Sequence, residues 1–295
     1  MPKARANGIE LEYDTFGSAD HDPLLLVMGI GAQMIKWHEE FCRQLVDAEH
    51  YVIRFDNRDA GLSAKFSHAG TPDIASLVAS LQAGERPKTA YTLDDMADDG
   101  IGLLDFLGID KAHICGASMG GMIVQVMAIR HPDRIHTMTS IMSTTGNPEL
   151  PSAQPKAMAA LLSPPANSRE ENIERSLQIS RAFGGGGFEV DEEDRRRRAG
   201  IAYDRSFFPE GFSRQMAAVI AHGDRKPALA NVEIPSLVIH GREDPLIPLR
   251  CGLDTHEALP NAELLVIGGM GHEMPRGAWP EIVDAIARTT SKATA

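Results

Sequence analysis

The sequence predicts an α/β protein with a mostly parallel central sheet, helices on both faces, and a helical insertion before one of the last strands. Three observations carry that expectation. Short apolar runs suited to buried parallel strands recur along the chain, and helix-like stretches separate most of them. One long interval, from Asn147 to about Asn231, breaks the alternation.

The chain opens as a hairpin. Asn7-Gly8 is a strong two-residue turn signal, and Ile9, Leu11 and Tyr13 then alternate with polar residues. The apolar runs are Leu24–Met28, Tyr51–Phe55, Ala112–Cys115, Ile135–Met142, Ser236–His240 and Glu263–Ile267. Helices are expected from about Trp37 to Asp47 and from Thr92 to about Leu107, where Thr-Leu-Asp-Asp places an N-cap hydroxyl three residues before an acid. Gly120–Arg130 is apolar almost all round, so that helix should be covered on every side. Leu249–Leu259 and Trp279–Thr289 complete the set.

The interval without strands has helical pieces at Ala153–Leu162 and Arg169–Phe183, a Gly184–Gly187 run and the charged stretch Asp191–Arg198. It is too long for a bare loop. Residues 147–231 are therefore expected to form a helical cap over the carboxyl edge of the sheet, and residues 1–146 and 232–295 the core. The four arginines are expected to lie on a solvated helix face beside the acids that precede them. The glycine run fits either a hinge or a loose loop.

Bulk properties exclude several classes. At 295 residues and 43% hydrophobic, the chain can bury a large core. Its 29 basic and 41 acidic side chains leave a net charge of -12, which argues against a nucleic-acid partner. The start (MPKARANGI) has no apolar run behind its basic residues, unlike a secretory signal. No run approaches the ~18 apolar residues of a membrane span. Cys42, Cys115 and Cys251 form a sparse set with no close pair, unlike a disulfide framework or a zinc site. A cytoplasmic protein with no metal is expected, with monomer and homodimer both open.

The chemistry gathers at three places. Gly116-Ala117-Ser118-Met119-Gly120 follows an expected strand and opens the apolar helix. Such a turn is so tight that residues two before and two after the serine must lack side chains, and the hydroxyl is left projecting. A serine hydroxyl is a poor nucleophile until a base takes its proton, so a histidine and an acid should follow. Asp244 lies just past the Ser236–His240 run, and His272 just past Glu263–Ile267. Both come off carboxyl ends of consecutive strands, where open α/β sheets assemble their sites. Glu243 is the alternative acid. Glu273 is expected to face elsewhere, His240 to be a polar wall residue and His113 a satisfied core or edge histidine. A developing oxyanion needs two N–H donors. Met119, directly after the serine, supplies one, and Ile30, in the Gly29-Ile30-Gly31 turn, is expected to supply the other.

These residues carry a resemblance. The chain resembles α/β-hydrolase-fold esterases, and among them is similar to the aclacinomycin methylesterase group. The shared features are Leu24–Gly29, Trp37, Val52–Ser63, Gly116–Gly120 and Gly268–His272, covering both ends of the core but not the insertion. Many relatives have His-Gly at the first oxyanion turn. This chain has Met28-Gly29, as that group does, which leaves the backbone donor intact. The resemblance implies that the Asp56–Ser63 loop braces the oxyanion turn, with Asp56 and Arg58 structural. Trp37 would line the acyl side of a pocket or serve as a core aromatic.

The expected reaction is hydrolysis of a small-molecule carboxylic ester through an acyl-enzyme on Ser118, with no cofactor. The resemblance suggests a methyl ester. The rivals are lactone, carbon–carbon or peracid chemistry on the same triad, and a ligand-binding receptor of the same fold.

Overall fold

A computed structural model describes residues 2–85 and 87–293. Its eight strands are β1 (Lys3–Ala6), β2 (Ile9–Phe16), β3 (Asp22–Val27), β4 (His50–Phe55), β5 (Ala112–Ala117), β6 (Ile135–Ile141), β7 (Ser236–Gly241) and β8 (Ala262–Ile267). They form one sheet in the order β1-β2-β4-β3-β5-β6-β7-β8. The pairs β1·β2 and β2·β4 are antiparallel and every other neighbouring pair is parallel. The opening hairpin turns at Asn7 (φ 46°) and Gly8 (φ 77°), the two positive-φ positions that an Asn-Gly turn accommodates.

The parallel strands are buried on both faces, which is why they read as unbroken apolar runs. Side chains still alternate between faces with period two. In β3, Leu25 and Val27 join the cluster packed on helices α3 (Leu93–Phe106) and α4 (Met119–Arg130). Leu24 and Leu26 join the opposite cluster, packed on α1 (Glu39–Asp47) and α11 (Trp279–Thr290). The Thr92 signal is a full capping box: the Thr92 hydroxyl accepts from Asp95 N–H, and the Asp95 carboxylate accepts from Thr92 N–H. Helix α4 is buried at every residue from Met119 to Ala128, which accounts for its lack of a polar face.

Between β6 and β7 lie five helices and no strand: α5 (Pro155–Leu161), α6 (Arg169–Phe183), α7 (Glu192–Arg205), α8 (Glu210–His222) and α9 (Lys226–Leu229). The insertion is not a uniform layer. Helices α5, α6 and α7 pack on one another in chain order. Helices α8 and α9 instead send Ala218 and Leu229 into the α3/α4 cluster. Helix α2 (Ile74–Gln82), capped by Asp73, packs on α8 and was not anticipated. Helix α10 (Leu249–Ala258) lies against β7.

The arginine run does not simply face solvent. Arg196 and Arg197 pair with Glu174 and Asp194 on exposed surface. Arg195 instead reaches Glu273 at 2.5 Å, and Arg198 donates to Ile35 O at 2.5 Å. Two of the four arginines thus tie α7 to core loops.

Candidate active site

The turn at Ser118 is set by sterics. Ser118 sits between β5 and α4 with φ 57° and ψ -120°, a region that non-glycine residues rarely occupy. A Cβ on Gly116 would lie 2.1 Å from Gly120 O, and one on Gly120 would lie 2.0 Å from Val27 O. Only glycine lets strand, turn and helix approach so closely. The strained turn is held from both sides: Ser118 N–H donates to Ile141 O (2.9 Å), and Ser143 Oγ donates to Ser118 O (2.8 Å).

The tertiary fold brings Asp244 and His272 to this serine. His272 Nε2 lies 3.0 Å from Ser118 Oγ, and His272 Nδ1 lies 2.8 Å from Asp244 Oδ2. The other carboxylate oxygen of Asp244 accepts from Leu246 N–H and Ile247 N–H, each at 2.9 Å. The carboxylate is therefore aimed at the ring, which makes Nδ1 the donor to Asp244 and leaves Nε2 to accept from Ser118 Oγ. Ser118 remains half-exposed, while Asp244 and His272 are buried. This arrangement can move a proton from a hydroxyl to an imidazole that a carboxylate orients.

Neighbouring residues take other roles. Glu243 accepts from Gly269 N–H at 2.5 Å and so anchors the histidine loop instead of orienting the ring. His240 is fully buried, with Nε2–H directed at Ile247 O (2.8 Å), and it braces the acid loop from beneath. Burial holds its pKa below the ordinary histidine value, so it stays neutral there. His113 is buried against Thr137 Oγ1 at 2.9 Å, the core histidine its apolar run suggested.

The glycine run is packed against the histidine loop. Gly187 N–H donates to Gly269 O at 3.0 Å, and a Cβ on Gly185 would lie 2.4 Å from that same oxygen. His272 N–H donates to Phe183 O at 2.8 Å, and the Phe183 ring stands edge-on to the imidazole at 5.5 Å. The end of α6 thus holds the histidine on its open side. Nothing local in the sequence marks this contact, because its two halves lie far apart in the chain.

Next to Ser118, Met119 is the first residue of α4, so its N–H is one of the donors that a helix start leaves without an intrahelical partner. The turn at Gly29–Gly31 stands beside it: a Cβ on Gly29 would lie 3.2 Å from Ser118 Cβ. The Asp56–Ser63 loop braces that turn. Asn57 Nδ2 donates to Met28 O (2.8 Å), and Asp56 Oδ1 accepts from Met34 N–H (2.7 Å). Arg58 forms a two-pronged pair with Asp99 at 2.6 and 2.7 Å.

Trp37 is placed differently from a pocket wall. It has no exposed surface, stacks on Phe41 at 5.7 Å and sits in the α1/α11 cluster. A side chain lining a cavity that admits water would retain accessible area. Its position is that of the core aromatic.

Residues 22–275 match the sequence profile of the alpha/beta hydrolase fold family. The chain belongs to this family. Within the alpha/beta hydrolases it is 28% identical to rhodomycin D methylesterase DauP of Streptomyces sp. (strain C5), over 97% of this chain and 96% of that protein. Rhodomycin D methylesterase DnrP of Streptomyces peucetius matches with the same identity and coverage. The likeness to the methylesterase group seen in the sequence is thereby borne out. Among solved structures, a meta-cleavage product hydrolase from Pseudomonas fluorescens IP01 superposes with a TM-score of 0.74 at 22% identity, covering 99% of this chain and 98% of that one. Among the described residues, no helix is long and apolar enough to cross a membrane.

Proposed function

We propose that this alpha/beta hydrolase is a serine carboxylesterase that cleaves small-molecule esters through an acyl-enzyme on Ser118. The observation that carries the proposal is the unbroken line from Asp244 through His272 to Ser118 Oγ, with steps of 2.8 and 3.0 Å. His272 takes the hydroxyl proton as Ser118 Oγ attacks the ester carbonyl. Asp244 stabilises the imidazolium that forms and keeps the ring in the productive tautomer. Met119 N–H and Ile30 N–H hold the oxyanion. His272 then returns the proton to the departing alcohol, and water frees the acid along the same path.

Methyl esters are the proposed substrate class, because the full-length relatives DauP and DnrP are named as methylesterases. Residues 147–231 act as the cap over this site and set the size of the two ester partners. The support is the seating of Phe183, Gly185 and Gly187 against the histidine loop. A cytoplasmic location is part of the same reading, and three buried, unpaired cysteines fit a reducing compartment.

Turnover of a panel of methyl, ethyl and aryl esters beside a lactone tests the proposal. Wild-type protein should favour the methyl esters. Ser118→Ala should lose about 10⁴-fold or more in kcat while remaining folded. A folded Ser118→Ala protein with ester turnover intact would sink the assignment.

A further inference from the structure

The second oxyanion donor is a backbone N–H on a glycine-flanked turn, so something must hold its direction. Three consecutive peptide planes are involved, and each has a partner. The Met28–Gly29 plane is held by Asn57 Nδ2 on Met28 O at 2.8 Å. The Gly29–Ile30 plane is held by Ala32 N–H on Gly29 O at 3.3 Å. In a trans peptide the C=O and N–H point in opposite directions, so this bond turns Ile30 N–H to the other side.

The Ile30–Gly31 plane is held from the insertion. Gly31 N–H donates to Gln215 Oε1 at 2.7 Å, and Gln215 Nε2 donates to Arg58 O at 2.7 Å. The reversed amide would set donor against donor and acceptor against acceptor, so the chemistry fixes the side chain's orientation. Gln215 has no exposed surface. Its helix, α8, is anchored on the bracing loop by Arg214, whose guanidinium grips Asp59 at 2.7 and 3.1 Å. Gly31 itself has φ +64°, a conformation that glycine visits freely, so its own backbone does little to hold the plane.

We propose that Gln215 is a positioning residue for the oxyanion hole: by fixing the Ile30–Gly31 peptide it preorganises the adjacent Ile30 N–H for the transition state. This rests on the serine-esterase reading. A donor held in advance costs nothing to reorganise as charge develops, whereas a wandering one loses most of its value. The same bond keeps Gly31 N–H occupied, so it does not compete for water or for the ester carbonyl in the wrong place.

Gln215→Met keeps the length of the side chain and removes both hydrogen bonds. Gln215→Glu keeps an acceptor for Gly31 N–H and, held protonated by burial beside Arg58 O, a donor for that carbonyl. Each is read by kcat, by KM, by inhibition with an alkyl boronic acid that forms a tetrahedral serine adduct, and by amide hydrogen exchange of Gly31. Gln215→Met should lose about 10- to 100-fold in kcat, somewhat less than deleting a donor outright. Its KM should stay within about threefold of wild type, its boronate affinity should fall in step with kcat, and Gly31 should exchange faster. Gln215→Glu should recover at least about tenfold of the kcat lost by the Met variant.

A Met variant with wild-type kcat and boronate affinity would overturn the proposal, as would a loss confined to KM. Should the Met variant fail to fold, the Glu variant decides: near-normal kcat with Gly31 still protected supports the role, and a large kcat loss with Gly31 still protected refutes it. Wild-type protein without ester turnover rejects the esterase reading. Unchanged Gly31 exchange in a folded Met variant rejects the role of Gln215 alone.

Discussion

Two glycine-rich segments border the candidate site, and they came to their roles by different routes. Gly116–Gly120 turns strand β5 into helix α4, and its glycines are demanded by atoms close by in the chain or on the adjoining strand. Gly184–Gly187 has no such local logic. Two of its glycines, Gly185 and Gly187, are demanded by Gly269, Met270 and Gly271, residues met only after β7, α10 and β8 have been laid down. The elbow segment is legible because its flanks declare a strand and a helix. The Gly184–Gly187 run reads as a hinge or a slack loop until the histidine loop is seen lying against it. Glycine content alone therefore says little; the neighbour that excludes a Cβ decides the role.

Substitutions can break that comparison. The largest effect is expected for Gly120→Ala. Its Cβ would lie 2.0 Å from Val27 O and 2.9 Å from Met28 O, backbone at the end of β3 that cannot yield. A loss of about 3 kcal/mol or more should follow, seen as a fall in the urea midpoint or in soluble yield. A well-folded Gly120→Ala protein would mean that the elbow is less tightly packed than its geometry implies.

The glycine run should separate into two kinds of position. Gly185→Ala would push its methyl towards Gly269 O and Gly271 N, at 2.4 and 2.5 Å, and displace the loop that carries His272. A stability loss of about 1–3 kcal/mol is expected, together with a roughly 10- to 100-fold loss of kcat from the misplaced imidazole. Gly186→Ala meets no atom within 4 Å and is strained only by its positive φ of 79°. It should cost about 1 kcal/mol and leave kcat nearly intact. Equal kinetic losses at the two positions would mean that the run works through its flexibility, not through its seating on the histidine loop.

A pH-dependent effect sharpens the other side. His113, on the strand that leads into the elbow, is buried, and its pKa is lowered to about 3 by desolvation and by the nearby His136 and His50. A folded pKa below the unfolded value of 6.5 means that the unfolded chain takes the proton first. Its contribution to stability is complete above about pH 6.5 and declines as pH falls from there towards 3. The steepest part of that decline is about 1.4 kcal/mol per pH unit. His113→Gln should flatten the pH dependence of the urea midpoint between pH 6 and 4. The residual slope belongs to other buried histidines, including His50 and His240, whose pKa values burial also lowers.

Much of the site was legible, and for a shared reason. Ser118, Asp244 and His272 each stand at the carboxyl end of a strand or just beyond it, and strands announce themselves as apolar runs. Asp56 and Arg58 are structural, as the resemblance implied: Asp56 accepts from Met34 N–H and Arg58 pairs with Asp99 on α3. Trp37 was undecided because an aromatic beside a helix start reads the same whether it faces a pocket or a core. Glu243, Gln215 and Arg195 could not be placed, since each acts through a partner on a distant segment. Helix α2 carries no legible signal, because Val78 and Leu81 stay part-exposed on a helix whose main support, α8, lies far along the chain.

By itself, the sequence determined the succession of core strands and most of the core helices, the tight turn at Ser118 and the strand ends beyond which Asp244 and His272 stand. Those follow from local rules: alternation of side chains, the capping of helix ends and the space that a serine elbow must leave free. Only the tertiary structure decided which surfaces the insertion touches. It placed Phe183 and two glycines on the loop that carries His272, Gln215 on the Gly29–Gly31 turn and Trp37 in the core. Packing of this kind depends on shape complementarity between segments whose separation along the chain carries no periodic signal, so it becomes visible only once the chain has folded.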